Sequence, residues 1–247
     1  MQAKFNMTRD ENIFAAKRNI IDYIWKSAKL EGLAVTYPDT EAIYNGMSVP
    51  GIKVSEIVAV NNLKHAWQFL LDNLHYSIDY PYICRINQLV GGDNLIINAG
   101  FLRRVPVTIG GTTWKPDIPI EPQIKEELAD ISTINSPTYK GITLMLYLMR
   151  KQMFLDGNKR TSMLAANQVM ISSGCGIISV PIERQRDFTK MLVEFYESND
   201  MQPLKEFVYD FCIDGIAFEH DSHGNNMMTR KNWNGKSTTT HSNHPDE

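Results

Sequence analysis

An all-α, mostly helical fold is predicted by three observations. Apolar residues recur at steps of three and four through most of the 247-residue chain, one segment is apolar all round, and a single stretch carries a strand signal. Ile13, Ala16, Ile20 and Ile24 mark one face of a first helix. Val60, Leu63, Trp67, Leu70 and Leu74 repeat the pattern in a second segment. Residues 33–53 between them hold Pro and Gly and are expected to form an irregular connector. A short helix from Tyr82 to Leu89 should stop at Gly91-Gly92.

Residues 95–114 place β-branched residues on either side of a Gly-containing segment, which predicts one β-hairpin. Helix resumes from Pro122 to Ile131. Ser136 can cap the next helix, with Pro137 at its first position. Within it Ile142, Leu144, Met145, Leu146, Leu148 and Met149 leave no polar face, which is the pattern of a central, buried helix. Further helices are expected from Lys159 to Ser172, around Phe188 to Phe195, and around Leu204 to Phe211. From about Glu219 the chain turns to Asn, Ser, Thr, His and Gly, too little to bury, so 219–247 should be a disordered tail. The expected division is an N-terminal helix with its connector over 1–53, a core over 54–218, and that tail.

Composition excludes several classes. Lys and Arg number 25 against 28 Asp and Glu, a net charge of −3, so no basic excess exists to neutralise a row of phosphates and no nucleic-acid partner is expected. The apolar run from Ile142 to Met149 is too short to span a bilayer. The first residues lack a secretory apolar core, and a cytoplasmic protein with no membrane partner is expected. Cys84, Cys175 and Cys212 are odd in number and widely spaced, which argues against a disulfide framework or a structural zinc site.

Chemistry concentrates in residues 152–161, Gln-Met-Phe-Leu-Asp-Gly-Asn-Lys-Arg-Thr, between the buried helix and the next. Gly157 should break the first helix, and Asn158 should open the second. A helix N-terminus offers unpaired N–H groups and a positive dipole end, which suit phosphate. Arg160 can grip phosphate oxygens with two parallel bonds, and Lys159 adds a point charge. Asp156, a lone carboxylate, suits Mg²⁺, which fills its other positions with water and phosphate oxygens. The same residues also fit a plain helix–helix turn followed by a solvated Lys-Arg face. The spacing is not that of a Walker A loop.

Phe154-Leu155-Asp156-Gly157-Asn158-Lys159-Arg160 resembles the Fic/Doc signature, His-x-Phe-x-Asp/Glu-Gly-Asn-Gly/Lys-Arg. The resemblance implies a Fic fold, a helical bundle with one β-hairpin flap, and transfer of AMP from ATP to a hydroxyl side chain of a target protein. Doc-type members transfer phosphate instead. By resemblance Asp156 holds Mg²⁺, Gly157 and Asn158 form the anion hole, Lys159 and Arg160 lie on the nucleotide phosphates, and Phe154 packs the loop into the core. Gly100, Arg103, Val107 and Ile109 fall in the flap, the expected docking edge for the target. Structural cover over the bundle is the other role open to that hairpin. Ser27-Ala28-Lys29-Leu30-Glu31-Gly32 is similar to the family's inhibitory pattern, Ser/Thr-x-x-x-Glu-Gly/Asn, which projects the Glu into the nucleotide site. Glu31 also fits a surface charge before a helix-ending Gly.

Three positions depart from the family. Gln152 stands where the catalytic His belongs, and an amide cannot take a hydroxyl proton as an imidazole can. Lys159 replaces the Gly common in AMP-transferring members. Met163 replaces a second Arg, the usual partner of the inhibitory Glu, so Arg160 would have to serve that Glu instead. His65 and His75 fit structural roles, and His220, His223, His241 and His244 fall in the tail. The expected function is therefore an attenuated Fic-type transferase of AMP or phosphate. The alternatives are a catalytically dead nucleotide- or protein-binding module and, more weakly, removal of AMP with Glu31 positioning water. Homo-oligomerisation stays open.

Overall fold

In the computed structural model, residues 1–220, 226–231 and 237–238 are described. The Thr8 side chain accepts from the Glu11 N–H while the Glu11 carboxylate accepts from the Thr8 N–H, a capping box that starts α1, Arg9–Arg18. The first helical face is not one helix. Asn19 leaves helical geometry, and α2, Ile20–Leu30, begins after it. The expected connector contains α3, Tyr37–Tyr44, which Thr36 and Asp39 open with a second capping box and Pro38 in the first turn. Then come α4, Val54–Asp72, and α5, Tyr80–Val90, which the Asp79 side chain caps and Gly91 ends.

α6 spans Glu121–Ser132, and α7 spans Pro137–Lys151 with Ser136 accepting from the Tyr139 N–H. α8, Asn158–Ser172, packs along α7. Gly141 allows their close approach, since a Cβ there would lie 3.0 Å from Met170. One hydrophobic cluster joins Leu144, Leu148, Leu164 and Ala165 to α2, α4 and α5. A second joins Ile142, Met145, Met149, Met163 and Met170 to α9, Gln185–Ser198, and α10, Gln202–Phe211. Walled on two sides, α7 is buried over most of its circumference, but not all round as the sequence suggested: Lys140, Thr143, Tyr147, Arg150 and Lys151 form a part-exposed stripe.

Strand pairing is sparse. β1, Ile177–Ile178, pairs antiparallel with β2, Ile213–Asp214. β3, Ala217–His220, β4, Asn226–Lys231, and β5, Ser237–Thr238, form a small antiparallel ladder. The tail expected to be disordered thus carries backbone ladders where it is described; its remaining residues lie outside the described ones. Among the described residues, no helix is long and apolar enough to cross a membrane.

The expected hairpin over 95–114 has no strand ladder. Turns run through 91–100, irregular backbone follows, and the chain reverses at Gly110-Gly111. Two causes are visible. Pro106 and Pro116 lack the N–H a ladder needs. The Arg103 side chain also takes the carbonyls of Val105, Pro116 and Asp117, on both limbs of the flap.

Candidate functional site

The loop between α7 and α8 is held from inside. α7 ends at Lys151 because Gln152 adopts a left-handed conformation at the C-cap, φ 47°. Gly157 does not end that helix, as the sequence suggested; it is the N-cap of α8, also left-handed at φ 75°. A Cβ at Gly157 would lie 2.9 Å from Ile96 Cδ1, so both backbone and space require glycine. Met153 and Phe154 are buried in the core. The Asn158 side chain closes the loop: its Nδ2 donates to the Phe154 carbonyl at 2.9 Å and its Oδ1 accepts from the Phe154 N–H at 3.0 Å. With both ends of its amide occupied, Asn158 faces a ligand through its backbone only.

Gly157 provides no side-chain cap for α8, so the helix end is left polar and positive. Asp156 sits beside it with its side chain 65% exposed. Its Oδ1 accepts from the Gly157 N–H at 2.5 Å and lies 3.5 Å from Arg160 Nη2. Among the described residues no group of three or more His, Cys, Asp or Glu converges on a cation. A divalent ion here would find one carboxylate, which fits Mg²⁺ completed by water and phosphate oxygens.

Glu31 reaches the same helix end from α2. It is the C-cap of α2, fixed by a Schellman turn in which Gly32, φ 79°, donates to Lys29 and Leu33 donates to Ala28. Its own N–H donates to the carbonyls of Ala28 and Ser27, and Ser27 is buried one turn before it. The carboxylate lies 3.4 Å from Lys159 Nζ and 3.7 Å from Arg160 Nε. Glu31 Oε1 and Arg160 Nε are buried and neither has a hydrogen-bond partner. Arg160 faces Glu31, whereas Met163 is buried in the second core cluster.

The Gln152 side chain bonds back onto α7. Its Nε2 donates to the Met149 carbonyl at 2.6 Å, and the side chain lies beside Tyr196 on α9. Burial, then the Glu31 charge, push the Tyr196 hydroxyl above its ordinary range, against a smaller opposing pull from Gln152. Tyr196 therefore stays protonated at neutral pH and is not a general base. Trp114 stacks on Tyr196 at 5.5 Å, with the Arg150 guanidinium 4.4 Å from the Trp114 ring. His65 and His75 are exposed on the surface, so neither has the structural role expected of it.

The flap residues divide. Gly100, φ 81°, donates its N–H to Asn87 Oδ1 at 2.8 Å and leaves no room for a side chain against the Cys84 carbonyl. Arg103 is only 2% exposed and points inward, so it cannot dock a target as the sequence suggested. Val107 and Ile109 are half-buried, Ile109 against the second core cluster. Asn87 on α5 was not anticipated. Completely buried, its Nδ2 also donates to the Asp156 carbonyl and to Thr161 Oγ1, both at 3.1 Å. The one sequence clue was a polar residue on the apolar face made by Ile83, Ile86 and Val90.

Comparison with known proteins bears on this arrangement. No sequence-family profile matches the chain. The curated protein adenylyltransferase fic-1 of Caenorhabditis briggsae is 27% identical over 75% of this chain and 38% of its own length. The solved Fic-1 of C. elegans superposes with a TM-score of 0.66 at 22% identity, over 80% of this chain and 62% of that one. A Fic domain-containing signalling protein from Bacteroides thetaiotaomicron gives 0.66 at 18%, over 81% and 80%. The chain has the fold of a Fic domain. Its Fic fold is the helical bundle expected from the sequence, and it spans well under half the length of the curated relatives it matches. In this Fic domain the signature loop, the carboxylate from α2 and the base of the flap meet at the N-terminus of α8.

Proposed function

We propose that this Fic domain binds ATP and moves AMP from it to a hydroxyl side chain of a target protein, with Gln152 attenuating the reaction. The observation that carries the reading is the Glu31 carboxylate set against Lys159 and Arg160 at an uncapped helix N-terminus. An anion of the chain already lies where nucleotide phosphates would lie, so the site is built for negative charge. The match to protein adenylyltransferases supports AMP as the transferred group. In this reading Lys159, Arg160 and the backbone of Gly157 and Asn158 hold the phosphates. Asp156 holds Mg²⁺, which would neutralise charge on them. Ser27 and Glu31 form the inhibitory end of α2, and flap residues 104–111 align the target chain.

Gln152 leaves the hydroxyl proton without a acceptor of suitable pKa, a loss of roughly 10²–10⁴ in rate. Its engagement with Met149 and Tyr196 favours a second reading, a nucleotide-binding module without turnover. Incubation with ATP labelled at either the α- or the γ-phosphate tests the first. Protein-bound α-label, increased in Glu31→Gly, is expected. γ-Label would make the chain a phosphotransferase, and bound nucleotide with no label in any variant would favour the second reading.

A further inference from the structure

Arg103 is a nearly fully buried cation whose hydrogen bonds go to backbone carbonyls. Its Nε donates to the Gln152 carbonyl at 2.6 Å. Nη1 donates to Val105 at 3.0 Å, and Nη2 to Pro116 at 3.3 Å and Asp117 at 2.5 Å. Its backbone N–H donates to the Met153 carbonyl at 3.0 Å. Burying a guanidinium is costly, and burial indeed lowers its pKa against a smaller opposing pull from Asp117. Position offsets that cost. The charge sits at the C-terminal end of α7, where a cation completes the helix dipole, and four carbonyls replace its water. Among the described residues no other hydrogen bond ties the incoming limb of the flap to the outgoing one.

We propose that Arg103 is the positioning residue that locks both flap limbs to the signature loop, so that flap and Gln152 move as one body. Val105 begins the limb that leads to Ile109, and Pro116 and Asp117 close the limb that returns through Trp114. One planar group therefore ties three points of the chain together. Lysine, a point charge with no fork, reaches one of those carbonyls and leaves the others unpaired. Alignment of a target on the flap rests on the transfer reading above; the coupling itself does not, and it is tested without any turnover.

The test is limited trypsin digestion of the full chain, following the fragment cut after the exposed Arg104. In Arg103→Ala that cleavage should accelerate about tenfold, because proteolysis of a folded protein tracks local opening. Guanidinium well below denaturing concentration should restore resistance, and ethylammonium, equally charged but not planar, should not. Arg103→Lys should be cut nearly as fast as Arg103→Ala. Cleavage unchanged in both variants, or acceleration that guanidinium does not reverse, would overturn the proposal. If Arg103→Ala loses its helical circular dichroism, Arg103→Lys decides: wild-type resistance there would show that charge alone suffices and would equally overturn it.

Discussion

Glu31 and Arg160 face each other at 3.7 Å, with the two facing atoms buried and neither hydrogen-bonded. An ion pair that is buried but not closed into hydrogen bonds keeps its desolvation cost and returns little. Such a contact is poorly suited to stabilising the fold and well suited to being displaced by a better anion. Glu31→Gly should therefore tighten ATP binding in the presence of Mg²⁺ by about tenfold, near 1.4 kcal/mol. Calorimetric titration of both proteins measures this. Equal affinities would mean that Glu31 does not compete for the phosphate site.

Asp156 offers an exposed carboxylate beside that site. In Asp156→Ala the affinity for ATP should become insensitive to Mg²⁺, while the affinity for metal-free ATP should stay level or rise as a negative charge is lost. Titrations with and without the ion separate the two. A surviving Mg²⁺ dependence would assign the ion to other oxygens.

Gln152→His should raise α-label transfer by roughly 10²-fold or more. Position 152 is left-handed, a conformation that histidine adopts more readily than most residues, so the fold should accept the change. The gain should appear as pH rises through the imidazole pKa, since only the neutral ring accepts a proton. A flat pH profile with no gain would argue that the side chain at 152 never meets the hydroxyl.

Asn87→Ala removes three hydrogen bonds from a fully buried amide and strands the Gly100 N–H. The expected cost is about 2–3 kcal/mol, a fall in Tm of about 5–10 °C for a chain of this size. Thermal unfolding followed by circular dichroism measures it. Asn87→Asp should also be damaging, because a carboxylate would face the Asp156 carbonyl without a proton to donate.

Much of this was legible in the sequence because its signals were local. The apolar α7, the Ser136-Pro137 start and the Asp156–Arg160 run each announce themselves within a dozen residues. α3 escaped because it is eight residues long and weakly amphipathic, so the Thr36-to-Asp39 capping box was its only mark. The flap was misjudged as a ladder because β-branched content records side-chain preference, whereas Arg103 claims the carbonyls from a distance. Its inward turn was invisible for the same reason: an arginine between turn residues normally points to water. Tyr196 and Asn87 contribute to the site from α9 and α5, and no spacing rule connects them to a loop tens of residues away.

The Asn87 bridge bears on how this chemistry can be moved between proteins. The ten-residue signature looks like a cassette that a designer could graft between any two helices. Its loop carbonyl and its helix hydroxyl are nevertheless held by an amide that lies 69 residues upstream of Asp156, and the same amide anchors the turn leading into the flap. A graft of residues 152–161 alone would import the charges without their geometry. The smallest transplantable unit is α5, the Gly100 turn, α7 and α8 together.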